Sequence, residues 1–180
     1  MDAIKMLKER RSIRKFKDEK VDRDLIKEIV STSIFAPSWA NTQIARYTVV
    51  DDKEIMERLG NEVFMDFKFN KKIISNAAGV LVLSYVKGKC GYGPDGNYAT
   101  SKGSSWEMFD AGIAAQTFCL AAYEKGVGTV ILGIFDETKV AEIVELPENE
   151  IIASLIPYGF ETEHPKAPKR NSVDDILRFK

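Results

Sequence analysis

The residues best able to do chemistry in this chain are cations and short polar groups, not nucleophiles or metal ligands. The stretch ERRSIRKF (residues 9–16) sets Arg10, Arg11, Arg14 and Lys15 around Ser12 and Ile13, in a protein whose formal net charge is −1. Arginine's planar fork donates in pairs to phosphate or carboxylate oxygens, and Ser12 adds a neutral donor. If helix persists here, Arg10 and Arg14, four apart, share a face. Two readings stay open: a helix C-terminus whose solvated cations complement the macrodipole, or an anion site. A second stretch, APSWANTQ (36–43), supplies Pro37, Ser38, Asn41 and Gln43. Their hydroxyl and amides can bond the polar edge of a heterocycle, although turn chemistry alone accounts for the composition. A third, GVGTVILGIFD (126–136), sets Gly133 after Ile131 and Leu132 in a strand-like run, where glycine marks a bulge or a ligand against the backbone.

Other chemistries lack their residues. Cys90 and Cys119 have neither metal-ligand spacing nor a disulfide framework, and His164 is the sole histidine, so no metal site and no histidine-centred triad is expected. There is no GxGxxG after an early strand and no Walker lysine.

Positioning those segments requires alternating helices and strands. Apolar residues at helical spacing predict helices over 2–9, 22–35 (Asp22 as N-cap), 53–59, 106–125 and 136–146 (Asp136 as N-cap). Strands are predicted over 46–51, 78–86, 127–135 and 150–160, and a short last helix within 172–179. AGVLVLSYV (78–86) is apolar throughout, as suits a strand covered on both faces. Residues 87–105, rich in Gly, Ser, Asp and Asn, read as a long surface excursion.

The chain has 180 residues with 44% hydrophobic and 29% charged, the profile of one globular domain, 1–180. Lys plus Arg total 26 against 27 for Asp plus Glu, so a basic surface for nucleic acid is not indicated. No run reaches a membrane span's length and the N-terminus has no signal-peptide core, so no membrane association and a cytoplasmic location are expected.

Taken in order, these segments resemble the flavin-dependent nitroreductase family. The likeness is carried by Arg10-Arg11-Ser12-Ile13-Arg14, by Pro37-Ser38-Trp39-Ala40-Asn41-Thr42-Gln43, by the long helix from near Asp110, by GIFDETKVAEIVELPENEIIASLIPYGF, and by the basic PKRNSVDDI near the C-terminus. It implies an α+β fold, with a mixed, mainly antiparallel central sheet flanked by helices, and a homodimer whose active site is shared between subunits. FMN is the implied cofactor, with NADH or NADPH as donor and a small electron-poor molecule, a nitroaromatic or quinone, as acceptor. Arg10 and Ser12 would then hold phosphate or ribityl groups, Arg14 the N1/O2 edge of the flavin, and Arg11 belongs to the same cofactor-binding set. Arg170 matches the C-terminal phosphate cation, with Lys169 as the neighbour that could replace it. Pro37, Ser38, Asn41 and Gln43 would come from the other subunit, Asn70 would meet the pyrimidine ring, and Ile131, Leu132 and Gly133 would lie along the flavin. The flavin carries the chemistry, by ping-pong hydride transfer through N5, and no protein acid or base is required. The resemblance also admits a specialised enzyme of the same fold, such as a reductive dehalogenase or flavin-processing enzyme, or a non-catalytic flavin carrier or sensor. Two departures bear on the acceptor: Ile44-Ala45 stand where Pro-Trp is common, and Gly133 stands where some members carry Glu. Residues 87–105 form a candidate lid, which Tyr92, Tyr98 and Trp106 would line or merely pack.

Overall fold

A computed structural model describes residues 2–64 and 67–180. Along these the order is α1 (Ala3–Glu9), α2 (Arg23–Ser33), a 3-10 turn (Trp39–Asn41), β1 (Ala45–Val50), α3 (Lys53–Glu62), α4 (Lys68–Ser75) and β2 (Gly79–Val86). Then follow α5 (Ser105–Glu124), β3 (Gly128–Thr129), α6 (Glu137–Ile143), β4 (Glu150–Gly159) and α7 (Val173–Ile176). The sheet runs β1-β2-β4-β3 with every neighbour antiparallel. A single parallel bridge, Ser12 to Thr129, adds the basic segment to its edge. The fold is therefore α+β, as the sequence predicts.

β2 is buried at every position because both faces of the sheet are covered. Val80 and Val82 point into one core with Leu59, Ile74, Val140 and Leu155, beneath α3, α4 and α6. Leu81 and Leu83 point into the other with Ile29, Phe118, Ala122 and Ile156, beneath α2 and α5. The two-residue alternation of a strand thus divides one apolar run between two cores.

Capping fixes several helix starts: Asp2, Asp22, Asp52 and Asp136 each accept a backbone N–H at the first turn, and Ser172 with Asp175 closes a capping box on α7. One helix goes unpredicted: α4 begins at Phe67 with no side-chain cap. The strand expected over 127–135 is formally only Gly128–Thr129. Its register nonetheless persists, since Val130 N donates to Pro157 O (3.2 Å) and Leu132 exchanges both bonds with Leu155 (2.8 and 3.1 Å). Pro157 has no N–H to return, so the ladder loses one rung there.

Candidate functional site

The basic segment is extended, not helical. α1 ends at Glu9, Arg10 turns to φ −53, ψ 135, and Ile13 N donates to Thr129 O at 2.9 Å. Two apolar plugs pin it. Ile13 is buried against Gly128, where even one added Cβ would lie 2.7 Å from Ile13 Cγ1, and Phe16 is buried against Gly159. In an extended chain residues two apart share a side, so Arg10, Ser12 and Arg14 line one side while Ile13 turns inward. The helical pairing of Arg10 with Arg14 is replaced by this period-two pairing.

The cations are held loosely. Arg11 Nη1 donates to Lys8 O and Arg10 O (2.7 and 2.9 Å), and Arg14 Nη1 to Ser12 O (3.2 Å). Lys15 pairs with Glu163 at 2.7 Å, but among the described residues Arg10, Arg11 and Arg14 form no salt bridge. The Nε atoms of Arg10 and Arg11 are buried with no hydrogen-bond partner among the described residues. A buried unsatisfied donor costs about 1–3 kcal/mol, so the segment favours an anion.

The same sheet edge leads to residues 131–133. Leu132 turns its side chain into the core and spends both backbone bonds on Leu155, whereas Ile131 is exposed. A Cβ built on Gly133 meets no atom within 4 Å, so the backbone there borders open space. Asn70, buried on α4, donates Nδ2–H to Ile134 O at 3.2 Å and so joins this group. Lys169 and Arg170 lie in an exposed tail, where Arg170 donates to Pro168 O at 3.4 Å. Among the described residues, no hydrogen bond or salt bridge ties that pair to residues 10–14.

Residues 37–43 stand elsewhere. Ala40, Asn41 and Gln43 all adopt left-handed backbone, with φ of 42, 55 and 48. Such conformations cost roughly 1–2 kcal/mol each in non-glycine residues, least for Asn. Gln43 N donates to Ser38 Oγ at 3.0 Å and Asn41 N to Ser38 O at 3.0 Å, so Ser38 shapes the loop while its own O–H donates to no group among the described residues. Trp39 N donates to Asp110 Oδ2 at 2.8 Å, and its ring meets Trp106 at 4.9 Å. Asp110 also accepts from the Cys90 thiol at 3.0 Å; burial first, then this bond, pushes that thiol up to about 12. The sequence reasoning missed Asp110. Its signal was a carboxylate heading the apolar run of residues 111–115 in α5.

The excursion 87–105 is closed on itself. Tyr92 and Tyr98 bridge with rings 4.8 Å apart, Gly91 packs at φ 85 beside Gly103 and Trp106, and Trp106 Nε1 donates to Thr100 Oγ1 at 2.9 Å. All three aromatics therefore pack the excursion, and Trp106 carries it onto Trp39.

Thus the loop meets α5 at Asp110, in its N-terminal half, and the basic segment runs by its C-terminal half, where the charge of Arg10 acts on Cys119 and that of Arg11 on Tyr123. At 1.5 Å per residue the helix from Asp110 runs about 14 Å to Cys119 and about 20 Å to Tyr123. Among the described residues no cluster of His, Cys, Asp or Glu could hold a metal, and no helix is long and apolar enough to cross a membrane.

The model of the nitroreductase family matches residues 7–160. A protein of Archaeoglobus fulgidus, provisionally named an NADH dehydrogenase/NAD(P)H nitroreductase, is 26% identical over 99% of this chain and 98% of its own. An iodotyrosine deiodinase of Danio rerio is 27% identical over 93% of this chain, which spans 63% of the fish protein. Among solved structures, an FMN-dependent nitroreductase from Clostridium difficile R20291 superimposes with a TM-score of 0.76 at 27% identity, covering 98% of each chain.

Proposed function

We propose that this chain, which belongs to the nitroreductase family, is an FMN-dependent NAD(P)H oxidoreductase. In this reading it delivers two electrons from NADH or NADPH to nitroaromatics, quinones or similarly electron-poor acceptors. One observation carries the reading: arginines that form no salt bridge among the described residues, two with buried Nε atoms that find no partner there, lie on the sheet edge that leads to the open backbone at Gly133.

The residues fit the cofactor. Arg10, Arg11 and Ser12 would hold its phosphate and ribityl hydroxyls, with Lys169 and Arg170 brought in by the tail. Arg14 and Asn70 would hold the pyrimidine edge, and the backbone of 131–133 would lie along the ring. When bound, FMN accepts and donates hydride at N5. The chain's own groups bind, orient and stabilise charge; Arg14 sets a cation at the edge where negative charge gathers on reduction. The chain acts as one domain, 1–180, in a homodimer. α5 leaves Met108 and Phe109 exposed although its other face is buried. Two such helices packed antiparallel about a two-fold axis would bring the loop of one copy, with Pro37, Ser38, Asn41 and Gln43, to the basic segment of the other.

The deiodinase relative supports a second reading, reductive dehalogenation at the same site. Stopped-flow spectroscopy tests both. Flavin bands that bleach with NAD(P)H and return with a nitroaromatic or quinone, in turnover, are expected. Recovery only with an iodinated phenol favours the dehalogenase, bleaching without turnover a carrier, and a colourless protein that ignores added FMN ends the reading.

A further inference from the structure

Asp110 is a carboxylate only 5% exposed on a helix whose following residues are apolar, and it forms no salt bridge among the described residues. A buried charge of this kind is costly unless its bonds are arranged around it. What surrounds it is specific: Oδ2 accepts the Trp39 backbone N–H at 2.8 Å and the Cys90 thiol at 3.0 Å. Trp39 opens the turn whose next residues, Ala40, Asn41 and Gln43, hold left-handed backbone. Strained backbone of this kind persists only where its surroundings over-determine it. Three of the loop's other bonds, Asn41 N to Ser38 O, Thr42 N to Trp39 O and Gln43 N to Ser38 Oγ, are internal and fix its shape; a fourth, Arg46 Nη1 to Gln43 O at 2.9 Å, joins its end to the start of β1 and leaves its other end to Asp110. The Asp110 bond reaches from the loop to a 20-residue helix. One turn earlier on α5, Glu107, also buried, accepts Gly88 N at 2.6 Å and holds the start of the excursion, which contains Cys90.

We propose that Asp110 is a positioning residue. It locks the loop of residues 37–43 to α5, ties it through Cys90 to the excursion, and so presents Asn41 to the flavin ring in the other subunit's site. The proposal rests on the cofactor reading above. Asp110 acts through the loop and touches no cofactor atom.

The test separates ring contacts from phosphate contacts by titrating the apo-dimer with FMN and with riboflavin, which lacks the phosphate. Asp110→Ala should weaken both by about tenfold or more, the cost of a lost charge-assisted bond, with the ratio of the two affinities unchanged. Asp110→Asn keeps a neutral acceptor and should show the same pattern at a few-fold, which serves if the alanine variant fails to fold. Combined with Asn41→Ala, the Asp110 substitution should add little, because both remove one contact. Unchanged riboflavin affinity in a folded variant overturns the proposal, and so does full additivity with Asn41→Ala. Asn41→Ala indistinguishable from the parent also overturns it, by removing the contact through which Asp110 is to act. The cofactor reading fails separately, if the parent itself binds no flavin.

Discussion

The basic segment and the loop of residues 37–43 are held in opposite ways. Residues 10–16 take their place from apolar plugs, Ile13 against Gly128 and Phe16 against Gly159, and keep three arginines out of salt bridges among the described residues. Residues 37–43 carry no charge, yet take a strained shape fixed by hydrogen bonds and tethered to one buried carboxylate. The difference follows from what each would bind. A phosphate is held by charge that internal pairing would quench, so the anchors must be apolar. A ring edge is held by direction, so the backbone must be rigid even at some cost.

The comparison breaks most completely if both segments serve the same flavin within one chain. Arg14→Ala and Asn41→Ala homodimers should each be severely impaired in NAD(P)H turnover. Their heterodimer, purified through two different tags, should hold one doubly damaged site and one intact site, and recover roughly half of the parental activity. Activity no higher than the mean of the two mutants would mean that each chain builds its own site, or that Asn41 does not contribute.

Within a single site, charge and direction should separate by ligand. Arg10→Ala should weaken FMN by about ten- to a hundredfold, from roughly 1.5–3 kcal/mol for one charge-assisted contact, while riboflavin binding changes little. Asn41→Ala should affect the two ligands alike. Added salt should weaken FMN more than riboflavin, because screening acts on the phosphate term. Equal losses for both ligands in Arg10→Ala would remove the phosphate role.

How far these segments could be read in the sequence follows the same division. The arginines, the N-caps Asp22 and Asp136 and the twice-covered β2 were legible because composition and period carry them. The conformation of residues 10–14 was not: a run of Arg, Ser and Ile suits helix or extended chain, and the fit of Ile13 onto Gly128 decides between them. α4 was missed because Phe67 offers no capping side chain, and β3 was overdrawn because Pro157, remote in sequence, removes a rung. The left-handed backbone at Ala40, Asn41 and Gln43 has no glycine to announce it. Its shape is fixed by bonds within the loop and its place by the contacts of Trp39 with Asp110 and Trp106, some 70 residues away, which no local pattern encodes.

Two glycines on the basic side sharpen the contrast between packing and binding. Gly128→Ala would set a Cβ 2.7–3.0 Å from three Ile13 carbons, and overpacking of that kind costs about 1–3 kcal/mol. Its melting temperature should fall by several degrees, and FMN affinity should fall with it as the arginine segment shifts. Gly133→Ala meets open space and should leave the melting temperature of the apo-protein within about a degree of the parent, while weakening flavin binding if ring atoms approach that backbone. Similar stability losses in both variants would show that Gly133 is kept for the fold alone.

The smallest effect concerns the tether on the loop side. Cys90 is buried, and its thiol is pushed from the ordinary 9.0 up to about 12 by burial and by its bond to Asp110. The folded state therefore keeps the proton while the unfolded chain loses it above pH 9. The resulting stability is fully present below pH 9 and is lost progressively as pH rises towards 12, by about 1 kcal/mol between pH 9 and 10. Cys119 and the buried tyrosines titrate in the same direction, so the parent's own decline is steeper than Cys90 alone would give. Subtracting a Cys90→Ala variant isolates the one thiol. Denaturant unfolding at pH 8, 9 and 10 should show the variant below the parent at pH 8, by the lost packing and weak S–H bond, and the gap closing by about 1.4 kcal/mol from pH 8 to pH 10. A gap constant across that range would mean that the thiol ionises as easily in the fold as in the unfolded chain. Asp110 would then not hold the Cys90 proton, and the link from excursion to loop would rest on packing.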